Sequence, residues 1–89
     1  MKTILFYWSK GSEIRRKIIK IIKRCEKENM PCYLNSISAE LRLSHVAVKK
    51  HLDIMIEDSY VRILNPDGKP QYLQLTEKGN DVINELLKK

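Results

Sequence analysis

Apolar residues recur along this 89-residue chain at two different spacings, and the change from one to the other divides it into elements. Ile14, Ile18, Ile21, Ile22 and Cys25 fall on one side at about 100° per residue. Arg16, Lys20, Lys23, Arg24 and Lys27 fall on the other side, so the stretch predicts an amphipathic helix. It should start at Ser12, a good N-cap, with Glu13 in the first turn where the dipole favours an acid. It should end near Asn29, because Met30 precedes Pro31 and is pushed out of helical geometry. Cys32-Tyr33-Leu34 reads as a short strand. A second helix follows, capped by Asn35 or Ser36, with Ile37 and Leu41 inward and Leu43 filling the turn after it. A third helix runs from His45 to Asp58, capped by Ser44, with Val48, Leu52 and Met55 inward. Tyr60–Leu64 and Gln71–Leu75 are strands, joined by Asn65-Pro66-Asp67-Gly68-Lys69, a strong turn signal. Thr76 caps a last helix, Glu77 to about Lys88, with Val82, Ile83, Leu86 and Leu87 apolar.

The first ten residues fit neither spacing. Ile4, Leu5, Phe6, Tyr7 and Trp8 are consecutive, so no side of this arm is polar, and Gly11 breaks it. The arm, residues 1–11, needs a cover. With Tyr7, Trp8, Leu86 and Leu87 it leaves apolar surface suited to a homodimer. The run is too short for a bilayer span and lacks a cleavage site, so the expectation is a soluble protein of the cytoplasm with no membrane partner.

Size and charge narrow the function. A chain this short is one domain with a modest core, and a catalytic cleft needs more wall than it can build. Net charge is +6, from 17 basic and 11 acidic residues. Residues 1–30 carry nine basic and three acidic side chains, a surplus of six, and residues 31–89 carry eight of each. A basic balance points to an anionic partner, most often nucleic acid. Ser44, His45, Ala47, Lys49 and Lys50 are small or polar and occupy the first turns of the third helix, where they can meet the major groove. None of them is Arg, Asn or Gln, so bidentate base recognition is missing from that stretch.

Helix, strand, helix, helix, strand, strand and helix in this order resemble the winged-helix transcription regulators, especially the ArsR and MarR-like groups. The residues that carry the resemblance are Leu43-Ser44, Ala47-Val48-Lys49-Lys50-His51-Leu52, Tyr60-Val61 and Leu75-Thr76-Glu77-Lys78-Gly79. It spans roughly residues 12–88 and departs at Ser59, where the family usually has glycine. It implies an α+β, mostly helical winged helix-turn-helix over residues 12–89: a three-helix core, a two-stranded wing and a C-terminal helix. It also implies a regulator that binds double-stranded DNA with the third helix in the major groove. Arg62, Asn65 and Lys69 of the wing would lie on phosphates or an adjacent minor groove, and His51 near the backbone or under the wing. Very small size, a basic N-terminus and a candidate disulfide also resemble regulators of heat-loving archaea or their viruses.

Two other classes stay open: an architectural DNA-binding protein with little sequence preference, and a protein-interaction winged helix. Cys25 and Cys32, seven positions apart and both inward, are either a disulfide or two buried thiols. Zinc sites need closer ligand pairs than C-x6-C and H-x5-H, and Ser36-Ile37-Ser38-Ala39 stands where ArsR-type metal sensors carry paired cysteines. No metal, cofactor or catalytic residue is expected, and nothing identifies an effector.

Overall fold

Among the described residues, four helices and one two-stranded antiparallel sheet make an α+β, mostly helical fold. The computed structural model describes residues 5–7 and 9–88. The helices are α1 (Ser12–Lys27), α2 (Leu34–Leu41), α3 (His45–Glu57) and α4 (Glu77–Leu86), and the strands are β1 (Val61–Ile63) and β2 (Leu73–Leu75). Val61 faces Leu75, Arg62 faces Gln74, and Ile63 faces Leu73.

α1 runs through the middle of the molecule, against α3, α4 and β2. That explains its buried arc, which is wider than an amphipathic stripe: Ile19 is fully buried beside Ile18 and Ile22, while Ile14 is only half-buried. Glu26 extends from its last turn and accepts the Leu75 N–H at 2.8 Å, satisfying a donor of β2. Ile37, Val48, Met55, Val61 and Ile83 complete the core.

The C-terminal ends of α1, α2 and α3 share one device. Asn29, Arg42 and Ser59 all take left-handed φ, at 55°, 57° and 67°. In each case the next N–H reaches back to a carbonyl five residues earlier: Met30 to Cys25, Leu43 to Ser38, and Tyr60 to Met55. These are Schellman closures, which normally use glycine. Each therefore holds a side chain in a backbone conformation costing roughly 1 kcal/mol. Ser59→Gly should raise unfolding free energy by about 0.5–1 kcal/mol, read from the urea midpoint at unchanged slope. No gain would mean that the Ser59 hydroxyl makes up for its backbone.

Three sequence expectations change in detail. Ser12 lies inside α1 and the N-cap is Gly11, at φ 87°. Residues 32–34 are not a strand, because α2 begins at Leu34 with Tyr33 as its N-cap. Ser36 is what starts that helix early: its hydroxyl accepts the Tyr33 N–H at 3.2 Å and donates to the Tyr33 carbonyl at 2.7 Å. Cys32 still offers its carbonyl to the Leu73 N–H at 2.8 Å, a single bond alongside β2. The hairpin strands are also shorter than the apolar runs, because the Asn65 side chain takes over the pairing. Its Oδ1 accepts the Tyr72 N–H at 2.7 Å and its Nδ2 donates to the Pro70 carbonyl at 3.1 Å.

α4 starts as expected, with Thr76 Oγ1 accepting the Gly79 N–H at 3.1 Å. Gly79 lies against β1: a Cβ there would stand 2.1 Å from the Tyr60 carbonyl oxygen, which itself accepts the Thr76 N–H. The described part of the arm folds onto its own domain. Phe6 is fully buried and meets Tyr60 edge-on, with ring centroids 5.0 Å apart at 85°. Trp8 lies outside the described residues, Leu86 is half-buried and Leu87 stays exposed.

Candidate nucleic-acid interface

The turn between α2 and α3 is held from within. The Ser38 hydroxyl donates to the Leu43 carbonyl at 2.6 Å, and Ser44 Oγ accepts the Ala47 N–H at 3.1 Å. Ser44 therefore spends its acceptor on the cap. Val48, Leu52 and Met55 anchor α3 in the core. His45, Val46, Lys49, Lys50 and Asp53 are left on the open face, with Ala47 half-buried at its edge. Val46 is 79% exposed and was not singled out from sequence. A lone valine looks like core until the register of Val48, Leu52 and Met55 is fixed, and only then does it fall outside. Lys49 is not free on this face: its Nζ lies 2.9 Å from Asp53 Oδ2, one turn on.

The hairpin stands beside this helix. A hollow of about 280 Å³ separates them, floored by Leu52, Ile56 and Ile63 and edged by Lys49, Asp53 and Gln71. Lys69 is exposed at the hairpin's loop. Arg62 is on the opposite face of the ribbon, since alternate residues of β1 point opposite ways and Ile63 takes the side toward α3. Its Nε donates to Gln74 Oε1 at 2.8 Å, and Glu26, Glu77 and Asp81 border that side. Asn65 is committed within its own loop. Of the residues proposed from sequence, Ser44, His45, Ala47, Lys49 and Lys50 thus form one surface. Lys69 is exposed on the hairpin loop, next to Pro70 at the hollow, Arg62 turns away, and Asn65 has a structural task.

His51 is neither beside the open face nor under the hairpin. It points at the arm, where the Arg15 guanidinium donates to its Nδ1 at 3.0 Å. Arginine only donates, so Nδ1 is the acceptor and the ring proton sits on Nε2. Burial, then the charges of Arg15 and Lys50, hold the His51 pKa below its usual value. Gly11 makes this approach possible, since a Cβ there would come within 2.6 Å of His51 Cε1. Arg15 is only 4% exposed and also donates to the Leu5 carbonyl at 2.6 Å, Ser9 Oγ at 2.8 Å and the Lys10 carbonyl at 3.0 Å. The apolar and basic residues singled out from sequence did not include it, although at about 100° per residue it falls between Ile22 and Ile19, on the buried arc of α1.

The other α1 cations are partly engaged. Arg16 donates to the Phe6 carbonyl at 2.6 Å, Lys23 donates to Asn80 Oδ1 at 2.9 Å, and Arg24 pairs with Glu40. That exposed pair raises the Arg24 pKa and lowers that of Glu40. Lys20 and Lys27 are exposed and add to the long-range field.

Cys25 and Cys32 are buried free thiols rather than a bridged pair. Burial, together with the neighbouring Cys25, pushes the Cys32 thiol up to about 12. A thiol held protonated reacts slowly. Intact mass should be unchanged by reduction, and a thiol reagent at pH 8 should label neither residue until the protein unfolds. Rapid labelling of the native protein would contradict this burial.

Among the described residues no group of three or more His, Cys, Asp or Glu could hold a metal, and no helix is long and apolar enough to cross a membrane. No family model, curated protein or solved structure matches the chain. The functional reading therefore rests on the geometry.

Proposed function

We propose that this protein is a winged-helix regulator that binds double-stranded DNA, placing α3 in the major groove and the β1–β2 hairpin, as its wing, along the backbone. The observation that carries the reading is the open face of α3. His45, Val46, Lys49 and Lys50 project from the capped end of a helix whose other side is locked in the core. An element order of three helices, a hairpin and a fourth helix supports it, as does the surplus of cations. Lysines there can donate to guanine N7 and O6 or to phosphates, and Val46 can meet a thymine methyl. A second copy covering exposed Leu87, beside the Lys20, Lys23 and Ile83 surface, would set two reading helices on an inverted repeat.

A gel-shift series with selected and random duplexes at two salt concentrations tests this. Retention should be firm at low salt and should fall steeply as salt rises, since each neutralised phosphate contributes a slope of about −0.9 in log affinity against log salt. No retention at low salt would eliminate the proposal. The absence of Arg, Asn and Gln from the open face favours a second reading, architectural binding without sequence preference. Equal affinity for every duplex would leave that one alone.

A further inference from the structure

Asp53 is a group on the α3 face that DNA binding in general does not explain. It is an exposed carboxylate among cations, an imidazole and a valine, and it lies one turn nearer the capped end than Glu57, the other exposed acid of that face. Its position is not marginal. With His45 at zero and about 100° per residue, Lys49 falls near 40°, Asp53 near 80°, Val46 near 100° and Lys50 near 140°. Buried Val48, Leu52 and Met55 fall between about 280° and 340°, on the far side. Asp53 is therefore central to the open face. At about 1.5 Å per residue it lies ~12 Å along the axis from His45, comparable to the width of the major groove.

Phosphates repel a carboxylate held there. The groove floor offers it one kind of favourable partner, an exocyclic amino group on cytosine N4 or adenine N6. Lys49 Nζ stands 2.9 Å from Asp53 Oδ2, so an ammonium donor and a carboxylate acceptor are presented side by side. An exposed pair of this kind adds little to helix stability, which leaves its position unexplained by folding.

On the basis of the DNA-binding reading, we infer that Lys49 and Asp53 act together as the specificity-determining pair for one G·C base pair. Lys49 donates to guanine N7 and O6, and Asp53 accepts from the cytosine N4 amino group. A G·C edge runs acceptor, acceptor, donor, which matches this order. An A·T edge runs acceptor, donor, acceptor, and leaves the ammonium one bond short beside an engaged Asp53.

The test is selection of bound sequences from a random duplex pool by the wild type and by Asp53→Ala, with thermal melting of both proteins. The wild type should return one position fixed as G·C, preferred over A·T on the order of tenfold to a hundredfold. Asp53→Ala should lose the preference at that position alone. It should keep or raise its low-salt affinity for random DNA, because a repelling charge has gone, and should melt within a few degrees of the wild type. Three outcomes would overturn the inference while leaving DNA binding intact. These are a wild-type pool with no fixed G·C position, a fixed A·T position in its place, or an unchanged preference in Asp53→Ala at any melting temperature. Failure of the wild type to retain any duplex at low salt would remove both the inference and the reading beneath it.

Discussion

Replacing Lys49 and Lys50 together by alanine is expected to weaken DNA binding on the order of tenfold or more, and to reduce the salt slope by up to about two. Both side chains are exposed on the open face of α3, so they contribute charge to the surface and almost nothing to the core. The Lys49–Asp53 pair is lost as well, but exposed helix pairs are worth only about 0.3–0.5 kcal/mol, partly offset by the better helix propensity of alanine. The melting temperature should therefore move by no more than a few degrees. Gel shifts at two salt concentrations, alongside a melting curve, separate the alternatives. A large melting shift with unchanged retention would show that the two lysines belong to the fold and not to the interface.

Arg15→Ala should have the opposite signature, a loss of about 2–4 kcal/mol of stability. The guanidinium is almost fully buried and joins three structural pieces: α1, the arm through Leu5, Ser9 and Lys10, and α3 through His51. Truncation leaves the Leu5 and Lys10 carbonyls without this donor and opens a void beneath the arm, so urea unfolding should shift early. The same contact sets a pH dependence. The folded-state pKa of His51 is lowered by burial first and then by Arg15 and Lys50, so the unfolded chain takes up this proton before the folded one does. The stability involved is fully present above the unfolded value near 6.5 and is lost as pH falls through the lower folded value. Wild-type stability should therefore begin to decline as pH falls below about 6.5, above the range in which ordinary carboxylates titrate. Arg15→Ala should flatten that slope, because it removes both the hydrogen bond that protonation breaks and the charge that opposes it. An equal slope in the two proteins would mean that His51 is not the group responsible.

The elements were legible in the sequence because their causes are local. Apolar spacing located α1, α3 and α4. Ser44 and Thr76 marked two helix starts, and Asn65-Pro66-Asp67-Gly68 marked the hairpin turn. Each of these signals acts within a few residues of the element it specifies. The errors share a different cause. The stretch 32–34 has strand composition, yet the hydroxyl of Ser36 begins a helix there. Ser12 has the chemistry of a cap, but Gly11 holds that place because His51, forty residues on, comes too close for a side chain.

The interface divides in the same way. The periodicity of Val48, Leu52 and Met55 already implied that Lys49 and Lys50 face outward. It could not show that Asn65 closes its own loop, or that Arg62 lies on the far side of the ribbon. Burial of Arg15 was signalled only by its register between Ile22 and Ile19, and a cation there reads as solvated until the arm folds over it. Local spacing and capping chemistry set which segments form helices and strands, because those energies depend on neighbours a few residues away. Which side chains meet, and which stay free for a partner, depended on contacts between segments distant in the chain, where packing and desolvation outweigh local preference.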